Sequence, residues 1–146
     1  MLLRITRTPY EEPYHVNLEI EASNTRQKGY LEYYSNASDL IEIGIALKDF
    51  PFLGADEYLY ELGSEDPDDN FAHYLRLRFF KVLSSGASAI ELRFSNNKRK
   101  APHREITEFS IPCEVAGLNR LGKLFIKFGQ LEHKVLEWDG IKGEVR

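Results

Sequence analysis

The sequence predicts an α+β domain: an antiparallel, curved sheet of about five to seven strands with two helices packed on one face, in the order β-β-β-α-β-β-β-β-α. Three observations carry this. Most segments alternate apolar and polar residues with period two. Two stretches, 37–50 and 117–138, carry apolar residues at helical spacing. The alternation leaves one polar face per strand, as in antiparallel sheets wet on one side, and not the uniformly apolar runs of buried parallel strands. At 146 residues a single domain spanning 1–138 is expected, with 139–146 a short frayed tail. A chain of this length buries about 68–70% of its extended surface, enough to fold without disulfide or metal.

The elements follow in order. Leu3-Arg4-Ile5-Thr6 is a short opening strand, and Pro9 and Pro13 bracket the irregular segment after it. His15 to Ala22 sets Val16, Leu18, Ile20 and Ala22 against Asn17, Glu19 and Glu21. Ser23-Asn24-Thr25-Arg26 has turn chemistry, and Lys28 to Tyr34 returns as the second arm of a hairpin. Asn36 is placed to cap a helix with Asp39 in its first turn, running to Phe50 before Pro51. The alternation Leu40-Ile41-Glu42-Ile43-Gly44-Ile45 also fits a strand; the cap, the length and Pro51 favour the helix.

Glu57 to Leu62 is an aromatic-rich strand, followed by a loop from Gly63 to Asn70. His73 to Val82 points Leu75, Leu77 and Phe79 inward, Ser84-Ser85-Gly86 turns the chain, and Ala89 to Phe94 returns with Ile90, Leu92 and Phe94 inward. Pairing Leu77 with Leu92 sets Arg78 against Glu91, and Arg76 against Arg93, a repulsion that a carboxylate must relieve. Glu105 to Cys113 is a further strand, and Pro112 puts it at an edge or bulge. Leu121, Leu124, Phe125, Phe128, Leu131 and Val135 then form the stripe of a closing helix from Gly117 to Trp138. No internal repeat is visible.

Composition excludes more than it selects. A formal charge of −4 and a pI near 5.6 lack the basic face of a nucleic-acid binder. No apolar run approaches the roughly 18 residues of a membrane span, and the N-terminal segment lacks a signal-peptide core, so the cytoplasm is expected. Cys113 is a lone cysteine without basic neighbours, read as a small buried hydrophobe. The four histidines are scattered without ligand or catalytic spacing, and no nucleophile motif is present. No catalytic residue, metal ligand or cofactor is assigned. Asp66, Asp68 and Asn70 begin like a calcium loop, but the glycine and closing glutamate are missing. The basic loop Asn96-Asn97-Lys98-Arg99-Lys100 lacks interleaved aromatics and is read as solvated. Asn36-Ala37-Ser38 matches a glycosylation sequon, where the capping role is preferred.

Tyrosines cluster at Tyr30, Tyr33 and Tyr34 and at Tyr58, Tyr60 and Tyr74; Tyr30 and Tyr34 share one face of a strand and Tyr33 takes the other. Tyrosines beside carboxylates have the make-up of a binding surface. Tyr58, Tyr60, Glu61, Glu65, Asp66, Asp68 and Asp69 are the partner-binding candidates, and a protein with a basic surface is the expected partner.

Glu57-Tyr58-Leu59-Tyr60-Glu61-Leu62, the hairpin Leu75 to Phe94, Ile106 to Ile111 and the spacing Leu118, Leu121, Phe125, Phe128 together resemble small bacterial families of unknown function. In these a strand meander leads into a closing amphipathic helix. Some resemble immunity proteins, single-domain inhibitors encoded beside toxin genes. The resemblance covers residues 57–138, rests on hydrophobic spacing, lacks the tryptophan at the start of the meander and carries over no functional residue. It implies a non-enzymatic, bacterial, protein-binding domain. The alternatives are a ligand-binding protein or enzyme with a pocket between sheet and helices, and a structural homo-oligomer.

Overall fold

A computed structural model describes residues 2–51, 55–82 and 85–146; Met1 and the expected turn residue Ser84 lie outside them. The α+β class stands, but the single sheet is replaced by two antiparallel ones. The chain runs β1 (Leu3–Pro9), β2 (His15–Ser23), β3 (Lys28–Asn36), α1 (Ser38–Lys48), β4 (Glu57–Gly63), β5 (Tyr74–Lys81), β6 (Ala87–Ser95), β7 (Ile106–Glu114), α2 (Val115–Phe128), β8 (Val135–Trp138) and β9 (Gly143–Val145). One sheet has the order β3-β2-β1-β8-β9 and the other β4-β5-β6-β7.

Period-two patterning is obeyed closely. Val16, Leu18, Ile20 and Ala22 are fully buried on β2, and Leu77 pairs with Leu92 across β5 and β6 as expected. Pro112 sits on β7, an edge strand that among the described residues pairs with β6 alone, where a missing amide leaves no gap in the ladder. Residues 38–48 are helical, with Leu40, Ile43, Gly44 and Leu47 buried. Asn36 does not cap them. It ends β3, and Ala37 stands at the N-cap without a side-chain bond, its N–H donating to the Tyr14 carbonyl.

The closing helix is shorter than its apolar spacing predicts, ending at Phe128. Leu131 adopts φ +62°, and the chain re-enters extended structure with Leu136 and Trp138 buried at alternate positions. Val135 fits a helical stripe as well as a strand. What decides the matter is β1, whose second edge β8 completes; tertiary pairing outweighs local propensity. The C-terminal residues are not frayed either. Asp139 Oδ1 accepts the N–H groups of Ile141 and Lys142, Gly140 turns at φ +98°, and β9 pairs with β8.

The structure reveals a duplication that the sequence conceals. β3 and α1 recur as β7 and α2 at a constant offset of 78 residues, pairing Leu40 with Leu118, Gly44 with Gly122, Leu47 with Phe125 and Phe50 with Phe128. The equivalents meet one another. A Cβ on Gly44 would lie 2.8 Å from the Gly122 carbonyl, so the helices cross backbone to backbone, and Gly29 of β3 lies against Thr107 of β7. Each half is a three-stranded meander, a helix, and a further strand that leaves to join the other half's sheet: β4 pairs with β5, and β8 with β1. Both inner faces and both helices feed one apolar cluster, from Ile5, Leu18 and Trp138 to Leu75, Leu92 and Phe125.

Candidate functional site

β4 carries three of the seven partner-binding candidates, and it ends its sheet. The Lys81 N–H donates to the Asp56 carbonyl. Alternation in an antiparallel ladder then directs the backbone groups of Tyr58, Tyr60 and Leu62 toward β5, and those of Glu57, Leu59 and Glu61 away from it. Among the described residues nothing pairs with that outer edge. The corresponding strand of the other half, β8, is treated differently: β9 covers its free edge, and Arg146 beyond β9 reaches Glu137 of β8 at 2.6 Å.

Side chains divide by parity. Tyr58 and Tyr60 turn inward: Tyr58 stacks on Phe79 with ring centroids 6.1 Å apart, and the Tyr60 hydroxyl donates to Asp39 at 2.8 Å. Burial, reinforced by Asp39 among nearby groups, raises the Tyr60 hydroxyl far above the usual phenol range, so it stays a proton donor. Glu61 turns outward and accepts the Tyr74 hydroxyl at 2.6 Å; burial and then this carboxylate push Tyr74 up to about 12.

Beside Glu61 the outer face is a chain of alternating charges. Glu57 pairs with Arg78, Arg78 with Glu91 at 3.5 Å, Glu91 with Arg76 at 3.1 Å, Arg76 with Glu108 at 2.6 Å, Glu108 with Arg93 at 3.0 Å, and Arg93 with Glu65 at 2.7 Å. The register does oppose Arg76 to Arg93, and Glu108 lies between them as the required carboxylate. Each of the three arginines is thus held between two of the four carboxylates.

Glu65 joins that chain to the acidic loop. Asp66 Oδ1 accepts the Asp68 N–H at 2.9 Å, capping a 3-10 turn at Pro67–Asp69, and Asn70 leaves it at φ +56°. Asp66 is thus committed to the loop's own shape, which accounts for the calcium-like spacing. Asp68 and Asp69 are exposed and have no cation partner among the described residues. The seven candidates therefore do not form one patch: Tyr58 and Tyr60 underlie β4, Glu61 and Glu65 are tied to the outer face, and Asp66, Asp68 and Asp69 project beyond its end.

Two further features escape a residue-by-residue reading. Asn97, at φ +54°, donates through Nδ2 to the carbonyls of Ser64 at 2.8 Å and Phe71 at 3.0 Å. This clamp brings Lys98, Arg99 and Arg104 to one cleft of about 420 Å³ with Glu65 and Asp66. The acidic and basic loops, about 30 residues apart in sequence, are neighbours. Only the Asn at a turn hinted at the clamp. Tyr30 and Tyr34 are half-exposed on β3 while Tyr33 is buried, as their parity predicts. Among the described residues no three His, Cys, Asp or Glu side chains gather as a metal would need. Burial raises the Cys113 thiol, opposed by its hydrogen bond with Ser88. No helix among the described residues is long and apolar enough to cross a membrane.

No family model matches the chain, and no curated protein matches it in sequence. A solved structure of the plant transcriptional regulator PBF-2 superposes with a TM-score of 0.47 at 12% identity, covering 87% of this chain and 72% of that one. A likeness at that level carries no argument about what this chain does.

Proposed function

We propose that this chain is a non-enzymatic protein-binding domain that receives an extended, basic segment of its partner as an added strand on β4. The single observation behind this is the asymmetry of the duplication: β8 has its edge covered by β9, and β4 has no such cover among the described residues. An uncovered edge offers N–H and C=O groups at Glu57, Leu59 and Glu61 as a template. Just past β9, Arg146 meets both Glu137 of β8 and Glu144 of β9, a basic side chain set against carboxylates at the covered edge. Asp68 and Asp69 lie past the end of β4 without counter-ions among the described residues, and their field steers a basic segment toward the edge. Nothing in the architecture points to a toxin as that partner.

A direct test uses the alternating peptide acetyl-KVKVKVK-amide and its acidic counterpart, acetyl-EVEVEVE-amide, followed by amide chemical shifts. The basic peptide is expected to shift Glu57, Leu59 and Glu61; the acidic one is not. Leu59→Pro removes an outward N–H without touching the ladder to β5, and is expected to abolish the shifts while the melting temperature changes little. Reversing Asp66, Asp68 and Asp69 to lysine is expected to weaken binding with the fold intact. Shifts scattered over the surface, or equal for both peptides, would exclude strand addition.

A further inference from the structure

We infer that a cleft at the far end of β3 is a binding site for a guanidinium group, such as an arginine side chain presented by a partner. This does not depend on strand addition at β4. The cleft measures about 250 Å³, and its lining includes Tyr10, Tyr34, Glu11, His15, Ser35 and Leu62.

Four features converge on that chemistry. Tyr10 and Tyr34 meet edge to face with centroids 4.9 Å apart, yet each residue is about half exposed (46% and 50%). Open tyrosine faces attract cations, most favourably a flat guanidinium that can stack. The molecule makes such a contact elsewhere, with the Arg78 guanidinium carbon 4.1 Å from the Phe80 ring centre. Second, Glu11 contributes a carboxylate to the wall. It is held at φ +52°, and its carbonyl accepts the N–H groups of Tyr14 and His15 at 3.1 Å.

Third, Ser35 lines the cleft, is only 6% exposed, and carries a hydroxyl with no hydrogen-bond partner among the described residues. A buried hydroxyl left unpaired is costly, and a ligand N–H would satisfy it. Fourth, the loop bearing Tyr10 and Glu11 is fastened from below. Arg7, 8% exposed, donates to both oxygens of Glu12 at 2.6–2.7 Å and to the His133 carbonyl at 2.8 Å. An anion is disfavoured by Glu11, and His15, the one basic side chain in the wall, already pairs with it at 3.3 Å. An apolar ligand would leave Ser35 unsatisfied.

The test titrates N-acetyl-arginine amide into the full chain, with the lysine and citrulline amides as comparisons, again by amide shifts. Arginine amide is expected to shift Glu11, Tyr34 and Ser35 saturably with a Kd of about 1–10 mM, as suits so small a ligand. Lysine amide should bind at least about fivefold more weakly, and uncharged citrulline amide should give no saturation. Glu11→Gln and Tyr34→Leu should each weaken arginine binding about fivefold or more. Ser35→Ala is the sharper variant: it removes an unpaired buried group, so thermal stability should hold or rise while arginine affinity falls about threefold. Equal responses to arginine and citrulline, or unchanged affinity in Ser35→Ala, would overturn the assignment. So would the absence of any shift at these three amides.

Discussion

At Gly44 and Gly122 the distance between two helices is set by the absence of a side chain. A methyl group on Gly122 would come within 2.7–2.8 Å of the Leu47 carbonyl carbon and the Gly44 carbonyl oxygen, atoms fixed in the backbone of α1. In an exposed helix, Gly→Ala gains about 1 kcal/mol. Here overpacking against backbone, typically 1–3 kcal/mol, opposes that gain and should exceed it. Gly122→Ala is therefore expected to lose about 1–2 kcal/mol in urea unfolding, a fall of roughly 2–8 °C in melting temperature for a domain of this size. Gly44→Ala should also destabilise, but less: its closest contact is the Ile126 side chain at 2.6 Å, and the backbone atoms it meets, the Gly122 carbonyl oxygen and the Ile126 nitrogen, lie at 2.8 Å, against 2.4 Å to the Lys48 nitrogen for Gly122. A stabilised Gly122→Ala variant would show that the crossing relaxes and that the glycines do not set it. Neither residue stands out in the sequence, where each is one glycine inside an amphipathic helix. Their pairing appears only once the offset of 78 residues aligns the helices.

At the scale of elements, legibility followed burial. The β5–β6 hairpin could be registered from sequence because both strands alternate strictly, and a one-residue slip would turn Leu77, Phe79 and Leu92 out to solvent. From that register came the clash of Arg76 with Arg93 and the need for a carboxylate, although not its identity, since Glu108 comes from another strand. β8 was illegible for the opposite reason: four residues are too few to show a period, and its extended form depends on pairing with β1, about 130 residues away. The partner-binding candidates read as one surface in the sequence, whereas Tyr58 and Tyr60 turn inward and Glu61 outward, and nothing local marks β4 as an edge.

The charge chain itself makes a prediction. The hydrogen bond from Arg93, with its charge, holds the Glu65 carboxyl below its ordinary value near 4.5, against partial desolvation. A carboxyl with a lowered pKa in the folded state adds stability above its unfolded value and loses it as pH falls through the folded one. Stability should therefore decline on acidification below about pH 4.5. Arg93→Ala should shrink that decline while removing only about 0.5 kcal/mol at neutral pH, as for other solvent-facing pairs. Molar salt should have a similar, smaller effect. An unchanged acid profile in Arg93→Ala would mean that Glu65 stays mobile in solution.

The molecule as a whole is two like halves that cannot be separated without breaking both. Each sheet takes one strand from the other half: β4 leaves the first to pair with β5, and β8 leaves the second to pair with β1. The bonds that tie these strands to their own helices reinforce the exchange. Tyr60 of β4 reaches Asp39 of α1, and Trp138 of β8 donates to the Gly117 carbonyl of α2, the residue 78 positions after Asp39. A half on its own would expose the apolar face where the helices cross and leave the first strand of its meander without its outer neighbour. Cutting the chain between Asp68 and Asp69, in an exposed loop, should therefore give fragments 1–68 and 69–146 that are each largely unfolded. Mixed, they should reassemble one to one and recover native amide dispersion, because the break interrupts neither sheet and leaves the core continuous. Sedimentation and amide spectra of the separate and mixed fragments decide this. A folded, monomeric 1–68 fragment would show that the first meander and α1 need no strand from the second half, and that the exchange decorates two domains instead of making one.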